Sequence, residues 1–307
     1  MNYYLGVDVG TSSVKSLLMD SEGKTVGTSQ IGYDIIKEKL QYAEQDMEKL
    51  WEATKETITD LVKRYPEESA KIHGISYSGQ MHGLVMIGAD GKLIRNAIIW
   101  ADQRSEKEIQ KIYDITGKDT YRGTVLNSLS TGFLISSLMW VKEHEPENFE
   151  KIAKIMLPKD YLAYKLSGSF CTDVSDASGM LLMDVKNRSW SKEMMDICGI
   201  TEDKLPKLYE SYEVVGTLKK EIADELGFAE NVKVIAGAGD NAAAAVGTGT
   251  VGDGMCNISL GTSGTIFISS NKFGVDENNA LHSFAHADGH YLSLIHISEP
   301  TRPRLIS

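Results

Sequence analysis

The stretch Gly6-Val7-Asp8-Val9-Gly10-Thr11-Ser12-Ser13-Val14-Lys15-Ser16-Leu17-Leu18-Met19-Asp20-Ser21-Glu22-Gly23 decides how this chain is read. Residues 3–9 form an apolar run that ends in Gly-Thr-Ser-Ser, 14–19 form a second run, and 20–23 have turn composition. With a third strand over 25–32, the opening predicts an antiparallel meander. The pattern returns near the other end, where CNISLGTSGTIFISSNKFG (256–274) again reads strand, Gly-Thr-Ser, strand. A tight Gly-Thr-Ser turn between strands directs backbone N–H groups and hydroxyls at one point, which suits phosphate oxygens. Neither stretch is a P-loop: G-x-x-x-x-G-K-[ST] is absent, and the glycines join two strands instead of a strand and a helix. One such turn alone reads as an ordinary hairpin. Two copies, the first with Asp8 placed to reach a Mg²⁺ carried by the phosphates, favour phosphate binding.

Outward from that hairpin, Asp46 is placed to cap a helix with the apolar stripe Met47, Leu50, Trp51, Thr54, Ile58, Leu61 and Val62, stopped by Pro66. Strands are predicted at 72–76 and 84–87, on either side of Ser-Gly-Gln-Met-His-Gly (78–83). A short strand ends at Trp100, and helices are expected over 102–115, 131–144, 159–166, 191–198 and 217–226. Residues 232–236 read as a strand, Gly237-Ala238-Gly239 as a close approach, and 241–246 as an alanine-rich helix. Strands are expected at 255–260 and 265–269. This order of elements predicts α/β architecture, with a change of domain at 228/229. Residues 295–307 lack periodicity and carry two prolines and two arginines, so they read as a non-native or disordered tail.

The 307 residues fit about two domains. With 32 basic and 43 acidic residues the net charge is −11, which disfavours nucleic acid and anionic membrane as partners. Three separated cysteines, Cys171, Cys198 and Cys256, form no C-x-x-C pair, so they imply neither a disulfide framework nor a zinc knuckle and suit a reducing compartment. No apolar run is long enough to span a membrane, and the N-terminus lacks a signal-peptide pattern. The expected location is the cytoplasm.

The motifs together resemble a known family. Asp8, Gly10, Thr11 and Ser12, followed by Lys15 one residue early, resemble the first phosphate motif of the sugar-kinase, Hsp70 and actin superfamily. SLGTSG (259–264) resembles its second. SGQMHG (78–83), LPKDYL (157–162), DVSDASG (173–179) and AGAGDNAA (236–243) look like the FGGY carbohydrate kinases. The Met81-His82 pair and the Gly-Asp-Asn stretch are most similar to members acting on D-xylulose. The resemblance covers roughly residues 1–294. It implies a ribonuclease-H-like (actin-like ATPase) first domain over 1–228 and the opening part of a second over 229–294. It also implies transfer of a phosphoryl group from Mg-ATP to D-xylulose, giving the 5-phosphate. Gluconate, L-ribulose or glycerol are the alternative substrates, and a catalytically inactive sugar-binding fragment is the alternative from another class. The expected partners are the sugar and ATP; a homodimer is compatible with the sequence.

By the same resemblance Asp240 is the catalytic base, with Met81, His82, Asp102 and Asn241 at the sugar. Gly10, Thr11, Ser12 and Lys15 are expected at the phosphates with Gly261, Thr262, Ser263 and Gly264, and Asp8 at Mg²⁺. Read from chemistry alone, Asp240 also fits a simple helix cap worth about 1 kcal/mol, and the two roles coexist. His82 can donate to or accept from a sugar hydroxyl, while Met81 offers an adaptable wall; both also read as core and turn residues. Trp100-x-Asp102-x-Arg104 reads equally as a helix cap with an adjoining ion pair. Asp173 and Asp176 read as cap or turn residues. Two departures from the family pattern stand out. Ser137 precedes Leu138-Met139-Trp140 where the signature carries lysine, and Ser13 stands where glycine is common. Family members also continue beyond this sequence, into the part that carries the adenine-binding glycines. The 307 residues by themselves are therefore expected to bind sugar weakly and not to phosphorylate it.

Overall fold

The computed structural model describes residues 1–116, 127–228, 231–260, 264–274 and 281–298. The opening meander forms as Tyr3–Val9 (β1), Ser13–Asp20 (β2) and Thr25–Gly32 (β3), antiparallel throughout. Leu5, Val7 and Val9 are buried while Tyr4 and Asp8 are exposed, so the period-2 pattern sets one face on the core. Met47–Arg64 (α1) follows, capped as expected by Asp46, whose carboxylate accepts from the amides of Glu48 and Lys49. Its stripe packs on β2 and β3, with Val62 only partly buried. Ile72–Gly79 (β4) returns parallel to β1.

Val85–Gly88 (β5) leaves the main sheet and pairs with Ile152–Met156 (β6). Between them lie Glu106–Thr116 (α2) and Leu134–His144 (α3). Ser137 sits buried in α3, its hydroxyl without a hydrogen-bond partner. Then come Pro158–Ser167 (α4), Cys171–Asp173 (β7), the short helix Val174–Ala177 (α5), Val214–Thr217 (β8) and Lys220–Leu226 (α6). Lys233–Ile235 (β9) and Ala238–Gly239 (β10) both run parallel to β4, and Asp240–Gly247 (α7) follows.

The main sheet has the order β8-β9-β4-β1-β2-β3, with β10 also on β4. Three antiparallel strands joined at β1 to the parallel strands β4 and β9 make the ribonuclease-H-like arrangement that was expected. β9 and β10, C-terminal to the expected change of domain at 228/229, are hydrogen-bonded within this first sheet. The chain reaches a second sheet through α7 and residues 248–255. That sheet is Cys256–Leu260 (β11), Gly264–Ser270 (β12), His282–Ala285 (β13) and Tyr291–Ser298 (β14), antiparallel in the order β11-β12-β14-β13. Residues 295–298, expected to begin the tail, continue β14 in register with β12. Residues 299–307 lie outside the described residues.

Met81, Ala242, Ala245, Phe267, Phe284, Leu292 and Leu294 form a small core that seats the second sheet on α7. Cys171 and Cys198 are buried and Cys256 is exposed; all three are free thiols. Burial pushes the Cys171 and Cys198 thiols up to about 12. No helix among the described residues is long and apolar enough to cross a membrane.

Candidate active site

Two cavities meet at α7. The first, about 670 Å³, is lined by Met81, His82, Trp100, Gln103, Phe133 and Asp240 among others, and Asn241 and His282 also reach it. That volume lies within the usual range for small-ligand sites. The second, about 700 Å³, is lined by Asp8, Lys15, Tyr77, Ser78, Tyr212 and Val246 among others. Asp240 opens the helix on the side of the first, and Ala243, Val246 and Gly247 present its later turns to the second.

Met81 and His82 lie in the turn that leaves β4. His82 adopts a left-handed backbone (φ 72°), uncommon for a residue with a side chain. Its ring stacks on Phe133, with centroids 3.9 Å apart and planes 10° from parallel. Nδ1 lies 2.8 Å from the carbonyl oxygen of Gly179. A carbonyl only accepts, so Nδ1 carries the proton and Nε2 is left as an acceptor. Burial drives the imidazole pKa down to about 4; the Gly179 bond opposes this and His282 adds to it. Neutral His82 therefore offers a lone pair at physiological pH. A side chain at position 179 would come within 2.8 Å of that ring, so the close approach requires glycine.

Asp240 follows β10 at the first turn of α7. The residue is exposed, yet protein crowds its carboxyl and thins the water around it, raising the pKa to about 6. The Asn241 amide, 2.7 Å from Oδ1, pulls the other way, and the negative charge of Asp8 adds to the rise. Asn241 also points its amide nitrogen at the Met81 sulfur, 3.6 Å away. The structure thus brings Met81, His82, Asp240 and Asn241 to one cavity.

Asp102 does not line it. Its carboxylate is buried, accepts the Ala43 amide at 2.7 Å, and is held by the Arg104 guanidinium through Nε and Nη2. Arg104 in turn reaches Glu44 and lies 3.6 Å over the Tyr42 ring. The expected sugar contact is replaced by a buried ion pair, because a guanidinium two residues away fits both carboxylate oxygens. Gln103 and Trp100, its neighbours, face the cavity instead.

On the other side, the β1–β2 turn is closed by the Gly10 amide donating to Ser13 O at 2.9 Å. Tyr33 Oη donates to Gly10 O, and Gln45 donates to Thr11 O. The Trp100 indole donates to Thr11 Oγ1 at 2.8 Å, tying this turn to the wall of the first cavity. Ser12 is exposed. Asp8 faces Lys15 across the β1–β2 ladder and Ser78 across the β1–β4 ladder, and Ser78 Oγ donates to it at 2.7 Å. Of the second hairpin, Gly264 begins β12, while Gly261, Thr262 and Ser263 lie outside the described residues.

Among the described residues, one group of histidine and acidic side chains is dense enough to share a metal ion: Glu108, Glu143 and His144. It lines neither cavity, and its members are already paired, Glu108 with His144 and Glu143 with Lys111. Sequence reasoning gave no role to Gln103, Ser130, Thr131, Phe133 or His282, all at the first cavity. They arrive from loops and a distant strand, and no spacing signals them.

The sequence and the fold are similar to those of known proteins. Residues 3–247 match the N-terminal domain of the FGGY family of carbohydrate kinases. The chain is 38% identical over 286 residues to the xylulose kinase of Bacillus subtilis (strain 168), an alignment covering 93% of this chain and 57% of that protein. It superposes on the crystal structure of a xyloylose kinase from Brucella ovis with a TM-score of 0.93 at 36% identity, over 97% of this chain and 61% of that one. The crystal structure of gluconate kinase from Lactobacillus acidophilus gives a TM-score of 0.88 at 30% identity, over 95% and 59%.

Proposed function

Because this chain belongs to the FGGY family of carbohydrate kinases, we propose that it supplies the sugar site and the catalytic base of an ATP-dependent sugar kinase whose substrate is D-xylulose. The observation that carries this is Asp240: a carboxylate at the first turn of α7 that lines a cavity of sugar size together with a histidine whose Nε2 is left as an acceptor, its pKa raised by the protein that crowds it. The likeness to xylulose kinases supports the pentulose over gluconate.

In this reading the sugar enters the first cavity and a hydroxyl donates to Nε2 of His82. Met81 and Trp100 wall the carbon chain. Asp240 accepts the proton of the terminal hydroxyl as its oxygen attacks the γ-phosphorus and ADP departs. Asn241, beside Asp240 and Met81, completes the polar edge. Asp102 acts only as a buried brace for the loop that carries Gln103. The second cavity receives the triphosphate, with Lys15 and the Gly10-Thr11-Ser12 turn at its oxygens; Gly261, Thr262, Ser263 and Gly264 have the same assignment. Asp8 is a hard oxygen donor at the rim of that cavity, which fits Mg²⁺. When bound, the ion neutralises charge on the transferring phosphate.

The chain spans 57% of the Bacillus subtilis relative, so turnover is tested in a form carrying the relatives' full length. In a coupled ADP-release assay, D-xylulose is turned over faster than gluconate, L-ribulose or glycerol. Asp240→Asn lowers its turnover by about 10²–10⁴-fold. A variant retaining more than half of wild-type turnover overturns the assignment of the base.

A further inference from the structure

Two amides that lead into Asp240, those of Gly237 and Gly239, are held by Ser211 and Ser175, whose hydroxyls rest on a buried charged cluster that the scheme above leaves without a task. Lys159, wholly buried at the start of α4, places Nζ 2.6 Å from Asp160 Oδ1, 2.9 Å from Asp173 Oδ1 and 3.7 Å from Asp176 Oδ2. The other oxygen of Asp173 accepts from the Ser175 amide at 2.9 Å, from Ser175 Oγ, and from Ser211 Oγ at 2.7 Å. Ser175 Oγ in turn accepts the amide of Gly239 at 3.1 Å, and the Ser211 carbonyl accepts the amide of Gly237 at 3.1 Å. The hydroxyls of both anchoring serines therefore converge on one carboxylate, Ser175 through the same oxygen that holds Gly239 and Ser211 beside the carbonyl that holds Gly237. The segment is also confined from above. Gly237 has φ 77°, and a Cβ there would sit 2.2 Å from the Tyr77 carbonyl oxygen, so no other residue fits. Ala238 and Gly239 are paired with Ser78 and Gly79 of β4.

A lysine and three carboxylates are costly to bury, and apolar residues of equal volume pack as well or better. A cluster kept at that cost, with its outermost bond one residue from a reacting carboxylate, has the form of a support for the site. Burial alone would strip the proton from Lys159, but the three carboxylates hold it on. Asp176 is forced towards its neutral form by burial and by Asp160 and Asp173, with Lys159 opposing.

We propose that Asp173 and Ser175 are positioning residues for phosphoryl transfer, which hold Asp240 in line with the sugar hydroxyl through Gly239, with Lys159 and Ser211 fixing Asp173. The inference rests on the reading of Asp240 as the base. It is tested by steady-state kinetics on the full-length form carrying Ser175→Ala, Ser175→Thr, Ser211→Ala and Asp240→Asn. Removing the Gly239 anchor displaces the base without touching sugar. Ser175→Ala therefore lowers kcat by about 10–100-fold, because displacements of about 1 Å carry that scale of loss, while the sugar KM changes by less than about two-fold. Ser175→Thr, which keeps the hydroxyl, restores most of kcat. Should Ser175→Ala not fold, Ser211→Ala carries the test: it keeps the Gly239 bond, withdraws one donor from Asp173, and lowers kcat alone by about three- to ten-fold. Wild-type kcat in Ser175→Ala beside an inactive Asp240→Asn overturns the positioning role and leaves the base standing. A rise in KM at constant kcat in either serine variant also overturns it. An active Asp240→Asn overturns the base, and the positioning role with it.

Discussion

The two cavities on either side of α7 are built by different means. The His82 cavity, proposed above for the sugar, is made of groups with their partners already chosen. The His82 ring is fixed by Gly179 and Phe133, Asn241 lies against Met81, and Gln103 is carried next to the locked Asp102–Arg104 pair. The Asp8 side is a sheet face with one oriented carboxylate, a lysine across the ladder, and otherwise mostly backbone and apolar surface such as Leu17, Ile235 and Val246. A neutral sugar is recognised by directional hydrogen bonds, which lose their value when the donors and acceptors move. A triphosphate is recognised by charge and by backbone amides, which need less side-chain machinery. On the proposed assignment the His82 cavity is the one that carries specificity, and substitutions on the two sides are expected to separate accordingly.

The largest separation is expected on the phosphate side. Asp8→Ala lowers turnover by about 10²-fold, the scale of one lost electrostatic contact to a charged transition state, and leaves sugar affinity within about two-fold. Raising magnesium recovers part of the loss. Turnover as in wild type at limiting magnesium breaks the division between the cavities. A smaller and opposite pattern is expected from His82→Ala. One hydrogen bond to a neutral hydroxyl is worth about 0.5–1.5 kcal/mol, so D-xylulose affinity falls several-fold while nucleotide binding is unchanged. Calorimetry that finds sugar affinity intact makes His82 a structural residue and moves specificity elsewhere in the cavity.

How far the sequence reaches differs in the same way. The β1–β2 hairpin, the Asp46 cap and the β10–α7 approach are local patterns, and each forms where its residues predict. Met81, His82, Asp240 and Asn241, which the fold brings to one cavity, each sit in a short motif whose neighbours carry the signal. Asp102 also sits in a motif, but its environment is set by Arg104, Ala43 and Glu44, two of which come from a separate segment. Phe133 and His282 could not be found, since only the tertiary fold brings their loop and strand to His82. The attachment of β9 and β10 to the first sheet was equally hidden: a parallel strand bears no mark of the partner it will choose. The cluster around Lys159 shows the same limit. Asp173 and Asp176 read as turn residues until the fold surrounds one lysine with three acids.

The central claim is that Asp240 accepts the sugar proton, and the pH dependence of kcat/KM for the sugar, which reports ionisations of the free enzyme, tests it most directly. Only the ionised carboxylate serves as a base, and its pKa is raised to about 6 by the protein that crowds the carboxyl and by the charge of Asp8. The ratio kcat/KM is therefore level above about pH 7 and falls about ten-fold per unit as the pH drops below 6. His82, near 4, titrates below that limb. The account predicts a single ionisation close to 6 in the wild type and its absence from the residual kcat/KM of Asp240→Asn. A kcat/KM that holds constant from pH 7.5 down to 5, or a limb near 6 that persists in Asp240→Asn, would contradict it.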